Sequence, residues 1–186
     1  MSDKKLIEAE VVTFGSRKKE YRSLSNFWET EVCIIDGSIE RIYETGEHCF
    51  HGEKYIRLGE LSNERKQRLL EYGKRFQKPS IYKTCVEAKK MGGKRGLLLN
   101  AGELDQWDRI SIEVQNEICK WKYDHYEEVR MDLENSKGKI LVHPAMRCSE
   151  ENVRTRLWEG KAVVRDGKVV ILGGNMLGSL WSSLEK

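Results

Sequence analysis

Long apolar runs are missing from this 186-residue sequence, which is 39% hydrophobic and 34% charged. Because a membrane-spanning helix needs about 20 consecutive apolar residues, we expect none, and the first residues lack the apolar stretch of a signal peptide. Repeats and low-complexity segments are also missing. The length and composition therefore predict one soluble domain, residues 1–186, with a substantial core.

A strong charge imbalance is absent as well. The chain has 33 basic and 30 acidic residues, which leaves a formal net charge of +3. This excess is too small to indicate nucleic-acid binding by itself, although it is compatible with an anionic substrate.

The sequence has no C-x-x-C pair, and its cysteines are odd in number and widely spread: Cys33, Cys49, Cys85, Cys119 and Cys148. This pattern indicates reduced thiols rather than a disulfide framework or a zinc knuckle, so we expect a cytoplasmic protein. His48 and His51 lie three apart, but no third ligand with metal-site spacing is nearby. We therefore expect neither a metal nor another cofactor.

Periodicity and turn signals predict a helix-dominated α+β fold with short β-hairpins. Strands are expected at 8–14 and 139–142, and two-residue turns at Asp36-Gly37 and Asp166-Gly167. Helices are expected at 45–59, 62–72, 80–91, 108–133, 150–158 and after the glycine-rich turn 173–178.

The helix predicted from Thr45 to Gly59 carries the strongest candidate chemistry. Its residues Glu47, His51 and Lys54 are spaced four and three apart, so they share one helical face. An acid, a base and an amine near a helix N-terminus suit bond cleavage at a sugar. The alternative is an ordinary solvated ion pair, which contributes only a few tenths of a kcal/mol.

Three other stretches have a functional and a structural interpretation. The turn Leu24–Trp28 either lines a ligand or covers the core, and the turn Gly173–Gly178 either cradles phosphate or only joins a strand to a helix. The basic cluster 89–95 either contacts phosphate or is a solvated helix end.

Taken together, these motifs resemble the YbiA/NADAR family of N-glycosidase-like domains associated with NAD, ADP-ribose and riboflavin metabolism. The resemblance spans about residues 14 to 181 and rests on the order and spacing of short motifs. The matching residues are Phe14, Leu24, Ser25, Asn26, Phe27, Tyr43, Thr45, Glu47, His48, Phe50, Lys54, Trp107, Trp158, Gly160, Gly173, Asn175, Leu177 and Gly178.

The sequence departs from the family pattern at three places. His51 stands where members often carry glutamine, and Leu141-Val142-His143 replaces an L-V-E element. Thr155 stands three residues before Trp158, where better-known members have an acid. The missing acid speaks against the riboflavin type of activity and favours a pocket for another ribosyl amine.

The resemblance implies a YbiA-like fold and hydrolysis of a bond between ribose C1 and an exocyclic amine. Lys54 would form a Schiff base with the opened sugar, and Glu47 would move protons. In the alternative route, Glu47 activates water and Lys54 holds an anionic group. The residues expected to bind substrate are Phe14, Ser25, Asn26, Phe27, His48, His51, Trp107, Trp158, Gly173, Asn175 and Gly178.

Three functions remain open at this point. The first is removal of ADP-ribose from guanine in nucleic acid, and the second is hydrolysis of phosphoribosylamine intermediates of riboflavin synthesis. The third is a non-catalytic module that binds ADP-ribose or a nucleotide. The expected partner is thus an ADP-ribosylated nucleobase or nucleic acid, or a small ribosylamine phosphate, with no membrane and no obligate protein partner.

Overall fold

The computed structural model describes residues 2–184, which divide into two compact units. The central unit runs from Asn26 to Lys122, and the terminal unit combines the chain up to Ser25 with the chain from Tyr123 onward. The boundary between them falls inside one long helix. The expectation of a single domain over 1–186 stays a prediction.

The elements follow in chain order. They are α1 (Asp3–Glu10), β1 (Val11–Thr13), a 3-10 turn (Arg22–Leu24), β2 (Val32–Asp36), β3 (Ile39–Tyr43), α2 (Gly46–Leu61), α3 (Lys66–Lys74), α4 (Cys85–Met91), α5 (Ala101–His125), α6 (Glu127–Ser136), β4 (Ile140–Val142), α7 (Glu150–Val153), β5 (Lys161–Arg165), β6 (Lys168–Leu172) and α8 (Met176–Leu184).

In the central unit, the antiparallel hairpin β2–β3 leads directly into α2. The unit's core joins one face of this hairpin to α2, α3, α4 and α5, and its aromatic members include Tyr43, Tyr55, Phe76 and Trp107. This buried cluster holds α2 in place, so functional side chains on α2 have a rigid support.

A buried charge network also fixes α2 to its neighbours. The fully buried carboxylate of Glu53 accepts two hydrogen bonds from Arg41, at 2.6 and 2.9 Å, and one each from Tyr43 and Arg57. Arg57 also forms a bidentate pair with Glu117 at 2.8 and 3.1 Å. These partners lower the pKa of Glu53 despite its burial, so Glu53 is a structural anion.

The terminal unit is built from both ends of the described chain. β1 pairs in parallel with β4, with Val12 opposite Leu141, and β5 pairs with β6 as a hairpin. The two turn residues of that hairpin, Asp166 and Gly167, both have positive φ, as a type I′ turn requires.

The predicted α+β, helix-dominated architecture is confirmed, while several predicted boundaries are wrong. Residues 8–10 end α1 instead of starting a strand. The turn of the first hairpin lies at Gly37-Ser38, one residue after the predicted Asp36-Gly37. The helix predicted over 108–133 is two helices, α5 and α6, which break at Tyr126. α4 starts only at Cys85, where Thr84 and Glu87 form a capping box.

Two absences apply to residues 2–184 only. Within them no helix is both long and apolar enough to cross a membrane. Over the same residues there is no group of three or more histidine, cysteine or acidic side chains that could hold a metal ion. All five cysteines are free thiols.

Candidate active site

The first turn of α2 is anchored at both its cap and its backbone. Thr45 caps the helix by accepting a hydrogen bond from the His48 backbone N–H, as the sequence predicted. The backbone N–H of Glu47, which has no acceptor within the helix, donates to the carbonyl oxygen of Asn26 at 2.9 Å. A Cβ on Gly46 would come within 2.8 Å of the Asn26 side chain, so glycine is needed for this close approach. The position of Glu47 is therefore set by the backbone.

Glu47 and His51 form a largely buried acid–base pair one helical turn apart. His51 Nε2 lies 3.1 Å from Glu47 Oε1. Because burial lowers the pKa of His51 more than the Glu47 carboxylate raises it, the imidazole is neutral near pH 7. Its Nε2–H then donates to the carboxylate, since a carboxylate only accepts.

The second ring nitrogen of His51 is left as a buried acceptor. Its Nδ1 has no hydrogen-bond partner among the residues that the structure describes. A Cβ at Gly92 would lie 2.2 Å from this atom, so the ring packs directly on the Gly92 backbone. The absence of a side chain at position 92 is what allows His51 to stand at this place.

Lys54 is buried one turn further along the same face of α2, at 7% exposure. Its Nζ donates a short hydrogen bond to the carbonyl oxygen of Gly92. Burial lowers the pKa of Lys54 from its ordinary 10.5 to about 8, and the negative charge of Glu47 only partly opposes this shift. A substantial fraction of this amine is therefore neutral at mildly alkaline pH, which makes Lys54 a competent nucleophile.

Side chains from α4 and the turn before β2 complete the surroundings. The Lys89 ammonium lies 5.6 Å from the centre of the Phe27 ring, and its charge helps to lower the pKa of His51. The Cys85 thiol donates to the Phe27 carbonyl oxygen at 3.7 Å. Burial raises the pKa of this thiol, and the negative charge of Glu47 raises it further. The structure thus places an aromatic face and a cation near the acid–base pair.

His48 has a structural position beside this site. Its Nε2–H donates to the Tyr82 carbonyl oxygen at 2.8 Å, so Nδ1 accepts from the Thr45 hydroxyl, also at 2.8 Å. Both ring nitrogens are thereby occupied by the protein, and the ring is almost fully buried. These contacts explain His48 as a support for the cap of α2; its binding of substrate stays a prediction.

Asn26 also has its side chain engaged by the protein. Its Nδ2 donates to Gln115 Oε1 at 2.7 Å, and its Oδ1 accepts from Gln115 Nε2 at 3.1 Å. This reciprocal amide pair ties the turn before β2 to α5, and the Asn26 carbonyl then orients Glu47. A direct contact with ribose hydroxyls stays a prediction.

Trp107 lies inside α5, not ahead of the helix as predicted. The helix starts earlier because Asn100 and Glu103 form a reciprocal cap, with both backbone-to-side-chain hydrogen bonds at 2.9 Å. The ring of Trp107 packs edge-to-face on Phe50, with centroids 5.0 Å apart, and belongs to the central core. Phe50 also contacts the His51 ring, so Trp107 supports the acid–base pair from behind.

In the terminal unit, three backbone N–H groups of the glycine-rich turn before α8 already have acceptors within the protein. The backbone N–H groups of Gly174, Asn175 and Met176 already donate to carbonyl oxygens of the loop 156–159, at 2.7 to 3.0 Å. These three donors are used within the unit, which favours the interpretation of the turn as a strand-to-helix junction, and binding of substrate by Gly173, Asn175 and Gly178 stays a prediction.

The glycines and the asparagine of that turn have a packing explanation. The Asn175 side chain donates to the Leu141 carbonyl oxygen at 2.8 Å and accepts from the His143 N–H at 3.1 Å. A Cβ on Gly178 would lie 2.2 Å from the same Leu141 oxygen, and Gly173 has a φ of +85°. These residues clamp α8 onto β4.

The other predicted residues of the terminal unit are also explained mainly by packing. Phe14 is fully buried and stacks on His143, with centroids 5.6 Å apart, so its face is not free for a base. Ser25 is buried next to the 3-10 turn, and Trp158 is half-buried in the loop that leads to β5. Binding of substrate by Ser25 and Trp158 stays a prediction.

Sequence reasoning missed the carbonyl oxygen of Gly92 and the Cys85 thiol, and it treated Lys89 only as part of a basic cluster. The pair Gly92-Gly93 after the predicted helix 80–91 was a usable signal, because glycine often marks a place where the backbone approaches another group closely. A backbone carbonyl as the partner of Lys54 has no sequence signal at all.

Glu47, His51 and Lys54 therefore form one connected group on α2. It holds a carboxylate that can exchange protons, a neutral imidazole hydrogen-bonded to it, and an amine whose pKa is near neutrality. Such a group is suited to covalent catalysis through an imine, in which an amine attacks a carbonyl-like carbon and an adjacent acid–base pair moves protons.

Comparison with known proteins gives information on the fold. No family model matches the sequence, and no curated protein shows a significant match. Among solved structures, the chain is similar to the NMR structure of the E. coli protein YbiA, with 22% sequence identity and a TM-score of 0.57. The similarity covers 94% of this chain and 82% of the YbiA chain. The protein therefore has a YbiA-like fold.

Proposed function

We propose that this protein is an N-glycosidase that removes ADP-ribose from guanine in nucleic acid through an imine formed by Lys54. The observation that carries the proposal is the buried Lys54 amine, whose pKa is lowered to about 8 on the same helical face as the Glu47–His51 pair. The YbiA-like fold supports it, because the motif resemblance connects that fold with N-glycosidases.

A sugar joined to an exocyclic amine can react by ring opening. Protonation of the ring oxygen breaks its bond to C1, while the amine nitrogen forms a C1=N iminium. The neutral Lys54 amine adds to C1, a proton passes to the leaving nitrogen, and the bond from C1 to the base breaks. The product of these steps is an imine between C1 and Lys54.

Water completes the reaction. It adds to the imine carbon, Lys54 leaves as an amine, and the freed aldehyde closes again to ribose. Glu47 supplies and removes the protons in these steps, and the His51 Nε2–H holds its carboxylate in place. Phe27 with Lys89 beside it offers an aromatic face for the purine and a cation for a phosphate.

Guanine carrying ADP-ribose is favoured as substrate by what the chain lacks. Thr155 replaces the acid that better-known YbiA-type members carry, and its hydroxyl is exposed and donates to the Asn152 carbonyl at 3.0 Å. A threonine cannot replace a carboxylate in proton transfer, which speaks against the riboflavin intermediates.

Direct product analysis tests the proposal. The protein is incubated with an ADP-ribosylated guanine oligonucleotide and, separately, with phosphoribosylamine intermediates of riboflavin synthesis. We expect release of ADP-ribose from the first substrate only. Turnover of the riboflavin intermediates alone would refute the substrate assignment, and no turnover of either would refute the enzymatic function.

A pair of variants links the activity to the site. Glu47→Gln is expected to lower kcat by about 100-fold or more, because it removes general acid–base catalysis at that position. Glu113→Gln makes the same change at an exposed position of α5 and is expected to keep full activity. Equal activity of the two variants would remove Glu47 from the mechanism.

A further inference from the structure

A second candidate site in the central unit lies along the segment 91–97, whose Gly92 carbonyl oxygen accepts a hydrogen bond from Lys54. It is a cavity of about 350 Å³ between α3 and the segment 91–97. Three arginines line it: Arg68, Arg75 and Arg95. We call it the arginine pocket. Its volume lies within the range of small-molecule sites.

The walls of the arginine pocket are held firmly. The Tyr72 hydroxyl donates to the Met91 carbonyl oxygen at 2.8 Å, and the Tyr55 hydroxyl donates to the Leu97 carbonyl oxygen at 2.9 Å. A Cβ on Gly96 would fall 2.3 Å from the Tyr72 hydroxyl oxygen, so the chain approaches Tyr72 as closely as only glycine allows. These hydrogen bonds fix the backbone wall of the pocket, while the arginine side chains around it are exposed to solvent.

The charge inside the pocket is uncompensated. Arg68, Arg75 and Arg95 form no ion pair with a carboxylate in the described part of the chain. The single acid in the lining, Glu71, accepts a hydrogen bond from Gln67 at 2.5 Å. Three guanidinium groups against one carboxylate leave a local charge of +2 by formal count.

The guanidinium chemistry of the lining suits a phosphate group. The Arg75 guanidinium carbon lies 5.1 Å from the centre of the Tyr72 ring, within the range of a cation–π contact. Guanidinium groups donate in parallel pairs, and three of them around one concavity match the several oxygens of a phosphate.

We propose that the arginine pocket is a phosphate-binding site. The pocket and the candidate active site contact neighbouring residues. The Tyr72 hydroxyl in the pocket donates to the Met91 carbonyl oxygen, and the Lys54 amine in the candidate active site donates to the Gly92 carbonyl oxygen. The phosphate belongs either to a free nucleotide or to a nucleic-acid backbone, which offer the same chemical group. This site is separate from the Glu47 group, and its existence does not depend on the proposed reaction.

Binding measurements on matched variants test the proposal. The Arg75→Gln/Arg95→Gln double variant removes two charges from the lining. The Lys90→Gln/Lys94→Gln variant removes two exposed charges that lie near the pocket in the sequence but do not line it. Each protein is titrated with inorganic phosphate, ADP-ribose and an unmodified single-stranded hexanucleotide at low salt. Thermal unfolding checks that the variants fold, and Arg95→Gln alone serves if the double variant does not.

We expect the arginine variant to bind at least about tenfold more weakly than wild type, and the lysine variant to lose less than about threefold. Tight binding of phosphate and ADP-ribose identifies a free nucleotide as the source, and binding of the hexanucleotide alone identifies a backbone phosphate. In the latter case the slope of log affinity against log salt falls by about 0.7 for each lost contact. Equal losses in both variants, or no wild-type binding to any probe, would overturn the proposal.

Discussion

The amine of Lys54 is deeply buried, and its hydrogen-bond acceptor within residues 2–184 is a backbone oxygen. This acceptor is the neutral carbonyl of Gly92, and not a carboxylate. A directly paired carboxylate would keep the ammonium charged, whereas a carbonyl compensates burial only in part. This difference explains why the pKa of Lys54 falls to about 8.

The first prediction at the residue scale concerns the pH dependence of catalysis. If neutral Lys54 attacks C1, kcat/KM should rise about tenfold per pH unit below pH 8 and level off above it, as its pKa of about 8 requires. A profile of initial rates between pH 6 and 9.5 measures this, with about ±1 unit of tolerance on the midpoint. A profile that is flat across this range would contradict the role of Lys54 as nucleophile.

The second prediction concerns stability. Because the pKa of Lys54 is lower in the folded than in the unfolded protein, the unfolded state binds more protons between pH 8 and 10.5, and stability rises with pH in that window. Below it, the buried ammonium costs about 3 kcal/mol. Lys54→Met should therefore stabilise the fold at pH 7 by about 2 kcal/mol, after loss of the hydrogen bond to Gly92.

Urea unfolding at pH 7 and pH 10 checks this expectation. The stabilisation should shrink strongly at pH 10, because Lys54 is then almost entirely neutral in the folded state and the pH is close to the ordinary pKa of 10.5 in the unfolded state. Lys90→Met removes an exposed lysine from α4 and should change stability by less than about 0.5 kcal/mol at either pH. A destabilised Lys54→Met protein at pH 7 would show that the ammonium is better compensated than its contacts indicate.

At the element scale, the face of α2 was predictable from the sequence, whereas the role of the turn before α8 was not. The spacing of Glu47, His51 and Lys54 placed them on one face because helical periodicity and the Thr45 cap are local properties of the sequence. The turn before α8 has the composition of a phosphate loop, but its N–H groups pair with the distant loop 156–159. Such partners are set by tertiary structure, which local patterns do not contain.

A glycine substitution tests the packing role of the α8 turn. Gly178→Ala puts a Cβ 2.2 Å from the Leu141 carbonyl oxygen, so α8 must shift away from β4, at a cost of about 2 kcal/mol or more. Gly15→Ala is the control in the same unit, because a Cβ there meets nothing within 4 Å. Chemical denaturation compares the two, and a neutral Gly178→Ala substitution would reopen the possibility that position 178 serves a ligand.

At the scale of the whole molecule, the fold class followed from the sequence while the assembly of its strands did not. β1 and β4 are three residues long each, lie about 130 positions apart and pair in parallel. Neither has enough alternation to specify a partner, so only the folded chain identifies them as one sheet. The similarity to the YbiA structure over 94% of the chain supports this arrangement as a known fold.

The basic segment 89–95 shows how the same residues acquire different roles after folding. In the sequence it is one cluster of cations. In the structure Lys89 lies beside Phe27, near the Glu47–His51 pair, and Arg95 lines the arginine pocket. The turn after α4 separates the two groups, and no sequence pattern predicts on which side each cation lies.

Covalent trapping on Lys54 tests the central claim most directly. Borohydride added during turnover of an ADP-ribosylated guanine oligonucleotide reduces a C1=N imine to a stable secondary amine. We expect peptide mass spectrometry to find the ADP-ribosyl adduct on Lys54 in the wild-type protein and no adduct in Lys54→Met. Full turnover by the wild type without any adduct at Lys54 would contradict the imine mechanism.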